Sequence, residues 1–424
     1  MAVAEVFERV AGPDAPVEFV AFDGSKAGKP ESPVRITVKS QTAVAYLAQS
    51  PGALGLARAY VSGHLDVGGD MYEALSRMAS AQRTDISLGE KFQLLNELGG
   101  PRLLLPRLEP PPQEVRVDRR WRLGRRHSKG RDANAISHHY DVSNTFYEWV
   151  LGPSMAYTCA CYQREDFTLE QAQWAKHDLV ARKIGLKPGM RLLDVGCGWG
   201  GMVRHAAREY GVRALGVTLS EQQAAWAQRA IKEEGLSELA EVRHLDYRDV
   251  TETDFDAVSS IGLTEHIGKD QLPGYFKFLY GKLRPEGRLL NHCITRPDNV
   301  GPANVRGGFI NRYVFPDGEL EGPGFLASMI HDTGFEVRHE ENLREHYAMT
   351  LAGWCANLDQ HWDEAVAEVG EGTARVWRLY MAGSRLGFER NVVQLHQILA
   401  VKLGPEGQSG MPLRPDWEPP LPAS

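Results

Sequence analysis

The sequence predicts an α/β protein: a doubly wound, mostly parallel sheet preceded by a small α+β unit. Three observations carry that expectation. From residue 135 onward, short apolar and β-branched runs alternate with helical stretches, as they do when helices connect parallel strands. One run, Leu192-Leu193-Asp194-Val195, opens directly into Gly196-Cys197-Gly198-Trp199-Gly200-Gly201. A Pro- and Arg-rich stretch, 101–134, separates this region from a first hundred residues of different pattern.

In residues 1–100, Val17–Phe22 and Val34–Val38 read as two arms of a hairpin, because their apolar residues alternate around the turn signal Asp23-Gly24-Ser25. Helical periodicity follows over Thr42–Ser62 and Met71–Gln82. Pro110-Pro111-Pro112 blocks regular structure, so 101–134 is expected to be a linker or exposed arm. In the main domain, 135–403, the strand candidates are Arg191–Val195, Arg213–Thr218, Glu241–Asp246, Phe255–Ile261 and Arg288–Ile294. Thr168 with Gln171 forms a capping-box pattern opening a helix to about Ile184. The Pro- and Gly-rich tail, 404–424, is expected to be disordered.

Composition narrows the function. Formal net charge is −7, which argues against general nucleic-acid binding. Charge is nonetheless uneven. Arg116–Arg131 holds eight basic residues and one acid, Asp118, about +7, leaving about −14 elsewhere (−7 minus +7). An anionic surface is the partner such a stretch suits, at roughly 1 kcal/mol per basic residue near a bilayer. The five cysteines fit no zinc spacing and read as reduced thiols. The amino-terminal residues have no signal-peptide pattern, and no apolar run approaches the ~20 residues of a membrane helix. The expected location is cytoplasmic, peripheral at the inner membrane surface.

The glycine loop carries the strongest chemical signal. Glycines after a buried strand allow positive φ and close ligand approach, and the following helix presents free N–H groups. Gly196-x-Gly198-x-Gly200 is shorter than the G-x-G-x-x-G of dinucleotide folds and resembles motif I of S-adenosylmethionine methyltransferases. The second strand ends without an acid, so Thr218 and Gln223 are candidates for polar contacts to the ligand, while Ser220 and Glu221 cap a helix. After the third strand, Tyr247 of Asp246-Tyr247-Arg248-Asp249 is a candidate to pack against adenine.

Further motifs make the resemblance specific. His139-Tyr140-Asp141-Val142-Ser143-Asn144, Tyr157-Thr158-Cys159-Ala160, the glycine loop, Thr218-Leu219-Ser220-x-x-Gln223, Glu265-His266, His292-x-Ile294, Tyr313-x-Phe315-Pro316-x-Gly318 and His346-Tyr347-x-x-Thr350-Leu351 occur in order. Over roughly Ser137–His396 the chain resembles the cyclopropane-fatty-acyl-phospholipid synthases, which include the mycolic acid cyclopropane synthases. The resemblance implies a Rossmann-like methyltransferase sheet with helical lid insertions, S-adenosylmethionine as methyl donor, and an unsaturated acyl chain of a phospholipid as acceptor. It places cofactor contacts at Tyr157, Thr158, Asp194, Gly196, Cys197, Gly198, Trp199, Gly200, Thr218, Leu219, Gln223, Tyr247 and Arg248. It also implies a bound bicarbonate base held by Glu265, His292 and Tyr347 with backbone groups of Cys159 and Ile294, and often a homodimer.

The chemistry asks for such a site. Methylating an alkene creates a carbocation, so the pocket must exclude water and hold a base; a permanent lysine or arginine beside the cation would work against it. Each residue also has a plainer reading. Glu265 and His266 can cap a helix, His292 can be a satisfied core histidine, and Tyr347 and Cys159 can be packing. Thr264, Asn291 and Cys293 stand where the family has Phe, Leu and Thr. Those departures bear on whether the cation closes a cyclopropane or shifts a hydride and yields a mid-chain methylene, which a reductase then converts to a methyl branch. Methylene is the favoured expectation. The remaining classes are a small-molecule or protein methyltransferase and a catalytically dead lipid-binding module.

Overall fold

The structure, a computed structural model, describes residues 1–81, 88–115, 143–301 and 308–417. The basic stretch 116–131 and the motif residues 139–142 lie outside the described residues. The chain forms two compact units. The first comprises Met1–Val117, Val305–Pro316 and Leu358–Leu386; the second comprises Asp118–Asn304, Asp317–Asn357 and Gly387–Ser424.

In the first unit, strands β1 (Glu18–Ala21), β2 (Lys26–Gly28), β3 (Arg35–Val38) and β4 (Leu65–Gly68) form a sheet in the order β2-β1-β3-β4. The expected hairpin is a different one. β1 turns back through Asp23-Gly24-Ser25 onto β2, antiparallel, whereas β3 runs parallel to β1. The helical stretch Thr42–Ser62 is two helices, Gln41–Gln49 and Ala53–Val61. Pro51 cannot donate a backbone hydrogen bond, and Gly52 sits at φ 93°, so the helix breaks there.

Two boundaries need correction. Residues up to 115 are docked within the first unit, not free as a linker. Glu114 is 4% exposed, takes two hydrogen bonds of 2.7 Å from Arg58 and accepts a third from Tyr313 Oη at 3.2 Å. The unit is also discontinuous in sequence. Arg375, from the helix Glu371–Glu389, is 6% exposed, donates to Tyr60 O at 3.2 Å and pairs with Asp66 at 3.3 Å. No local pattern in 1–100 announces partners three hundred residues away.

The second unit holds a seven-stranded sheet. Its strands are β5 (Arg191–Val195), β6 (Arg213–Thr218), β7 (Ala240–His244), β8 (Phe255–Ile261), β9 (Leu283–Thr295), β10 (Glu336–Asn342) and β11 (Gln394–Val401). Their order is β10-β11-β9-β8-β5-β6-β7. β5 to β9 are parallel, as their apolar runs predict, while β11 lies antiparallel between β9 and β10. The last two strands escape the sequence reading because β10 carries four charged residues in seven (Glu336, Arg338, Glu340, Glu341). The chain leaves β5 first toward β6 and then crosses to β8, so a crevice opens at the carboxyl end of β5. The helix Leu169–Lys183 begins with the expected capping box of Thr168 and Gln171.

Residues 404–417, expected to be disordered, are held in place. Gly410 O accepts from Arg288 at 2.8 Å, and Trp417 is 5% exposed with its ring edge-on to His339. Among the described residues, no helix is long and apolar enough to cross a membrane.

Removing the acid from the Arg58–Glu114 pair leaves a guanidinium that is largely out of water without its carboxylate. Glu114→Ala should therefore cost about 3–5 kcal/mol of stability, read from urea denaturation; a loss under 1 kcal/mol would mean that residues 101–115 are not docked.

Candidate active site

The site is built at the end of β5. Gly196 and Cys197 donate to Val217 O at 2.9 and 3.0 Å, tying the loop to β6. Gly196, Gly198 and Gly200 have φ of 70°, 54° and 74°. Side chains are excluded at the outer two by packing: a Cβ on Gly196 would lie 3.1 Å from Leu263, and one on Gly200 would lie 3.2 Å from Ala227 and Val242. A Cβ on Gly198 would meet nothing within 4 Å. The helix Gly201–Tyr210 starts immediately afterwards. Open space above a left-handed glycine, beside a helix start, is what close approach of a nucleotide-like ligand requires.

Groups around the loop are mutually arranged. Asp194 is 3% exposed and accepts from Ser259 Oγ at 2.6 Å; burial raises its carboxyl to about 7. Thr218 and Gln223 hydrogen-bond each other at 2.7 Å, and Ser220 caps the helix Glu221–Glu233, as the plainer reading of that stretch expects. Leu219 is half-buried, and its carbonyl bonds to His244 at 3.1 Å. Trp199 donates to Asn144 Oδ1 at 2.9 Å. Tyr247 presents a different picture from the expected adenine platform: its ring meets Tyr275 and Phe278 edge-on at 5.2 and 5.3 Å. Arg248 is folded back onto Asp246, 2.6 Å from its carboxylate. Core packing and an internal ion pair account for those two side chains.

The proposed reacting end lies past β8 and on β9. Glu265, in the short turn Thr264–His266, is 8% exposed and accepts from Ile294 N at 2.7 Å. Its Oε2 is buried with no hydrogen-bond partner among the described residues, and burial raises its carboxyl to about 7. His292 is 1% exposed. Its Nδ1 faces Gln397 Nε2 at 3.2 Å, and its Nε2 is buried with no partner among the described residues. Burial, reinforced by Lys176 and Lys183, holds its pKa well below the usual imidazole range, so the ring is neutral. Cys159 is fully buried, and burial pushes its thiol well up, so it is no thiolate. Its segment is pinned to the helix carrying Tyr347: Ala160 N donates to Thr350 Oγ1 at 3.0 Å and Tyr162 N to His346 Nδ1 at 3.0 Å.

Thr264, Asn291 and Cys293 form one buried chain. Thr264 Oγ1 donates to Asn291 Oδ1 at 2.6 Å, and Asn291 Nδ2 to Cys293 Sγ at 3.3 Å. Side chains alternate along a strand, so Asn291 and Cys293 project to the opposite face of β9 from His292. Cys293 joins the core cluster around Tyr275 and Phe276. Through Thr264, these residues hold the turn that carries Glu265.

Several participants are invisible in the motifs. A run of rings leads from Trp199 to Tyr147 (4.7 Å), Tyr157 (6.0 Å), Trp354 (5.4 Å), Tyr347 (6.1 Å) and Phe388 (4.3 Å). Aromatic faces attract cations without hydrating them. Contrary to the expectation of a lysine-free neighbourhood, Lys176 is 1% exposed and donates to Thr158 Oγ1 at 3.0 Å. Its ammonium is drawn down to about 8 by burial, opposed by Asp194, so the nearby carboxyl offsets its charge. The available signal was spacing: Lys176 and Lys183 share one face of the helix Leu169–Lys183, a pattern indistinguishable in sequence from surface lysines.

A glycine loop at the carboxyl end of the first central strand, in this strand order, defines an S-adenosylmethionine-dependent methyltransferase. The family model for mycolic acid cyclopropane synthetase matches residues 127–398, and the chain belongs to that family. It is 56% identical to a probable fatty acid methyltransferase of Mycobacterium tuberculosis over 99% of both chains, and 40% identical to one of Pseudomonas putida over 94% of both. The mycolic acid cyclopropane synthase CmaA1, solved with SAH and CTAB, superposes with a TM-score of 0.60 at 32% identity, covering 64% of this chain and 98% of that one.

Gly198→Ala should weaken S-adenosylmethionine binding at least tenfold while costing only about 1–2 kcal/mol of stability from its positive φ, whereas Gly200→Ala should mainly destabilise; calorimetric titration and thermal melts separate the two. Glu265 makes a second prediction. Its folded carboxyl holds a proton more tightly than the unfolded one, so that stabilisation is complete below about pH 4.5 and lost as pH rises through about 7. Glu265→Gln should then be more stable than wild type by about 3 kcal/mol at pH 8, a gap that closes toward pH 4.5 in denaturation curves.

Proposed function

We propose that this enzyme methylates the double bond of an unsaturated acyl chain in a phospholipid and releases a mid-chain methylene product. The observation that carries the reading is the pair of buried, unpartnered atoms Glu265 Oε2 and His292 Nε2, in a fold whose glycine loop suits the methyl donor. Uncompensated polar atoms in a dry site cost about 1–3 kcal/mol each, a cost that a small polar guest would relieve.

S-adenosylmethionine, when bound, supplies an electrophilic methyl group. The residues then have separable tasks. The ring series from Trp199 to Phe388 excludes water and faces developing positive charge with π density. Neutral His292 adds no charge beside that cation. Cys159 lines the wall as a thiol. Glu265, with Tyr347, supports an anion near the new methyl group. The chemistry that bicarbonate would supply there is acceptance of one methyl proton.

Acceptor chemistry balances as follows. One alkene carbon takes the methyl group, leaving its neighbour cationic. A hydride moves from the methylated carbon to that neighbour, and loss of one methyl proton gives the exocyclic methylene. Direct ring closure with loss of the same proton gives the cyclopropane. What favours the methylene is that relatives matching along nearly the whole chain are named fatty acid methyltransferases, while the cyclopropane synthase CmaA1 matches 64% of it. The basic stretch 116–131 would meet an anionic membrane surface from the cytoplasmic side, and a reductase would consume the product. A homodimer is the proposed assembly.

Incubation with S-adenosylmethionine and oleoyl phospholipid tests this. Acyl chains should gain one CH2 by mass and show terminal alkene protons by NMR. Cyclopropyl protons would transfer the assignment to the ring-forming reaction, and no added mass would remove the lipid substrate. Glu265→Gln and Tyr347→Phe should lose turnover by about 10²-fold or more with cofactor affinity retained.

A further inference from the structure

We infer that Gln397 and Lys183 are positioning residues that fix His292 as the Nε2–H tautomer, so that it presents a hydrogen-bond donor to the reacting site. The inference rests on the reading of His292 as a member of that site.

Strand register brings the parts together. Antiparallel pairing sets Gln397 of β11 opposite His292 of β9, and Glu341 of β10 opposite Gln397. Three strands thus carry one polar row across the sheet. Lys183, at the end of the helix Leu169–Lys183, caps the row: its ammonium donates to Gln397 Oε1 at 2.8 Å and pairs with Glu341. Its side chain is 0% exposed, Gln397 is 0% exposed and His292 1%. Glu341, 36% exposed at its side chain, reaches the surface.

Donor and acceptor capacities leave one consistent assignment. An ammonium has only hydrogens to give, so it must face the oxygen of the Gln397 amide. That settles the amide orientation. The amide nitrogen then faces His292 Nδ1 and donates to it at 3.2 Å. A neutral imidazole that accepts at Nδ1 carries its proton on Nε2. That nitrogen is buried and has no hydrogen-bond partner among the described residues.

The arrangement is costly for mere packing. Gln397 shares its face of β11 with Leu395 and Leu399, each no more than 1% exposed, where apolar side chains would fill the space without burying a charge. A donor at Nε2 suits an anionic or carbonyl-like guest, and it suits a site that must not place a charged imidazolium beside a carbocation. Partners of this kind around functional histidines typically change activity 10–100-fold when removed.

The test uses the full-length protein with 15N-labelled histidine and long-range 1H–15N correlation spectra, His292 being assigned by its loss in His292→Gln. In wild type, Nδ1 should resonate as an unprotonated nitrogen and Nε2 as a protonated one. In Gln397→Glu the carboxylate can only accept, so a proton should appear on Nδ1, and kcat should fall about 10–100-fold with an unchanged S-adenosylmethionine dissociation constant. Gln397→Leu, which introduces no charge, should show both tautomers. A wild-type proton on Nδ1, or Gln397→Glu with Nδ1 still unprotonated, would overturn the inference, as would an unaltered kcat once the tautomer has switched. Full turnover in His292→Gln, with the wild-type tautomer as described, would instead remove His292 from the reacting site.

Discussion

Lys176 and Lys183 stand seven residues apart on one helix, two turns that bring both ammonium groups to the same buried face. Everything at the site is arranged around the cost of holding such charges out of water. Lys176 is answered by Thr158 and by the field of Asp194; Lys183 is answered by Glu341 and Gln397. Burial, with the two cations behind it, keeps His292 neutral, and burial raises the carboxyls of Asp194 and Glu265 to about 7. Burial removes the water that would ordinarily solvate these groups, so the protein solvates them with one another.

That internal solvation depends on sheet order. Parallel strands β5 to β9 create the crevice where the glycine loop sits, and they would do so without help. The antiparallel insertion of β11 between β9 and β10 does something the parallel core cannot: it sets Gln397 directly against His292. Cofactor end and reacting end are therefore built by different parts of one sheet. The Thr264–Asn291–Cys293 chain, on the far face of β9, ties the turn carrying Glu265 to that same strand.

Much of this was legible in the chain. Three of five central strands match their sequence runs residue for residue, because a fully buried parallel strand is an uninterrupted apolar segment. The glycine loop is equally plain, since its residues are dictated by backbone conformation. Other features were hidden for physical reasons. β10 carries too much charge to read as a strand, although Gln397 and His396 inside the apolar run Leu395–Val401 were a readable anomaly. Tyr247 reads in the sequence as a ligand platform, but the sequence does not show that its ring also packs against Tyr275 and Phe278. The first unit's borrowed helices could not be read at all, since no periodicity encodes a partner three hundred residues away.

The discontinuity of that first unit constrains how such a protein can change through descent. A domain encoded by one uninterrupted stretch can be gained or discarded in a single recombination event. This one is interlaced with the second unit at 305–316 and 358–386, so cutting the gene near residue 117 would strand Arg375 and its helix without Tyr60, Leu65 and Asp66. Shortened forms of the chain would have to rewrite those inserted segments as they shed the amino-terminal sheet, which makes the two units a single heritable module.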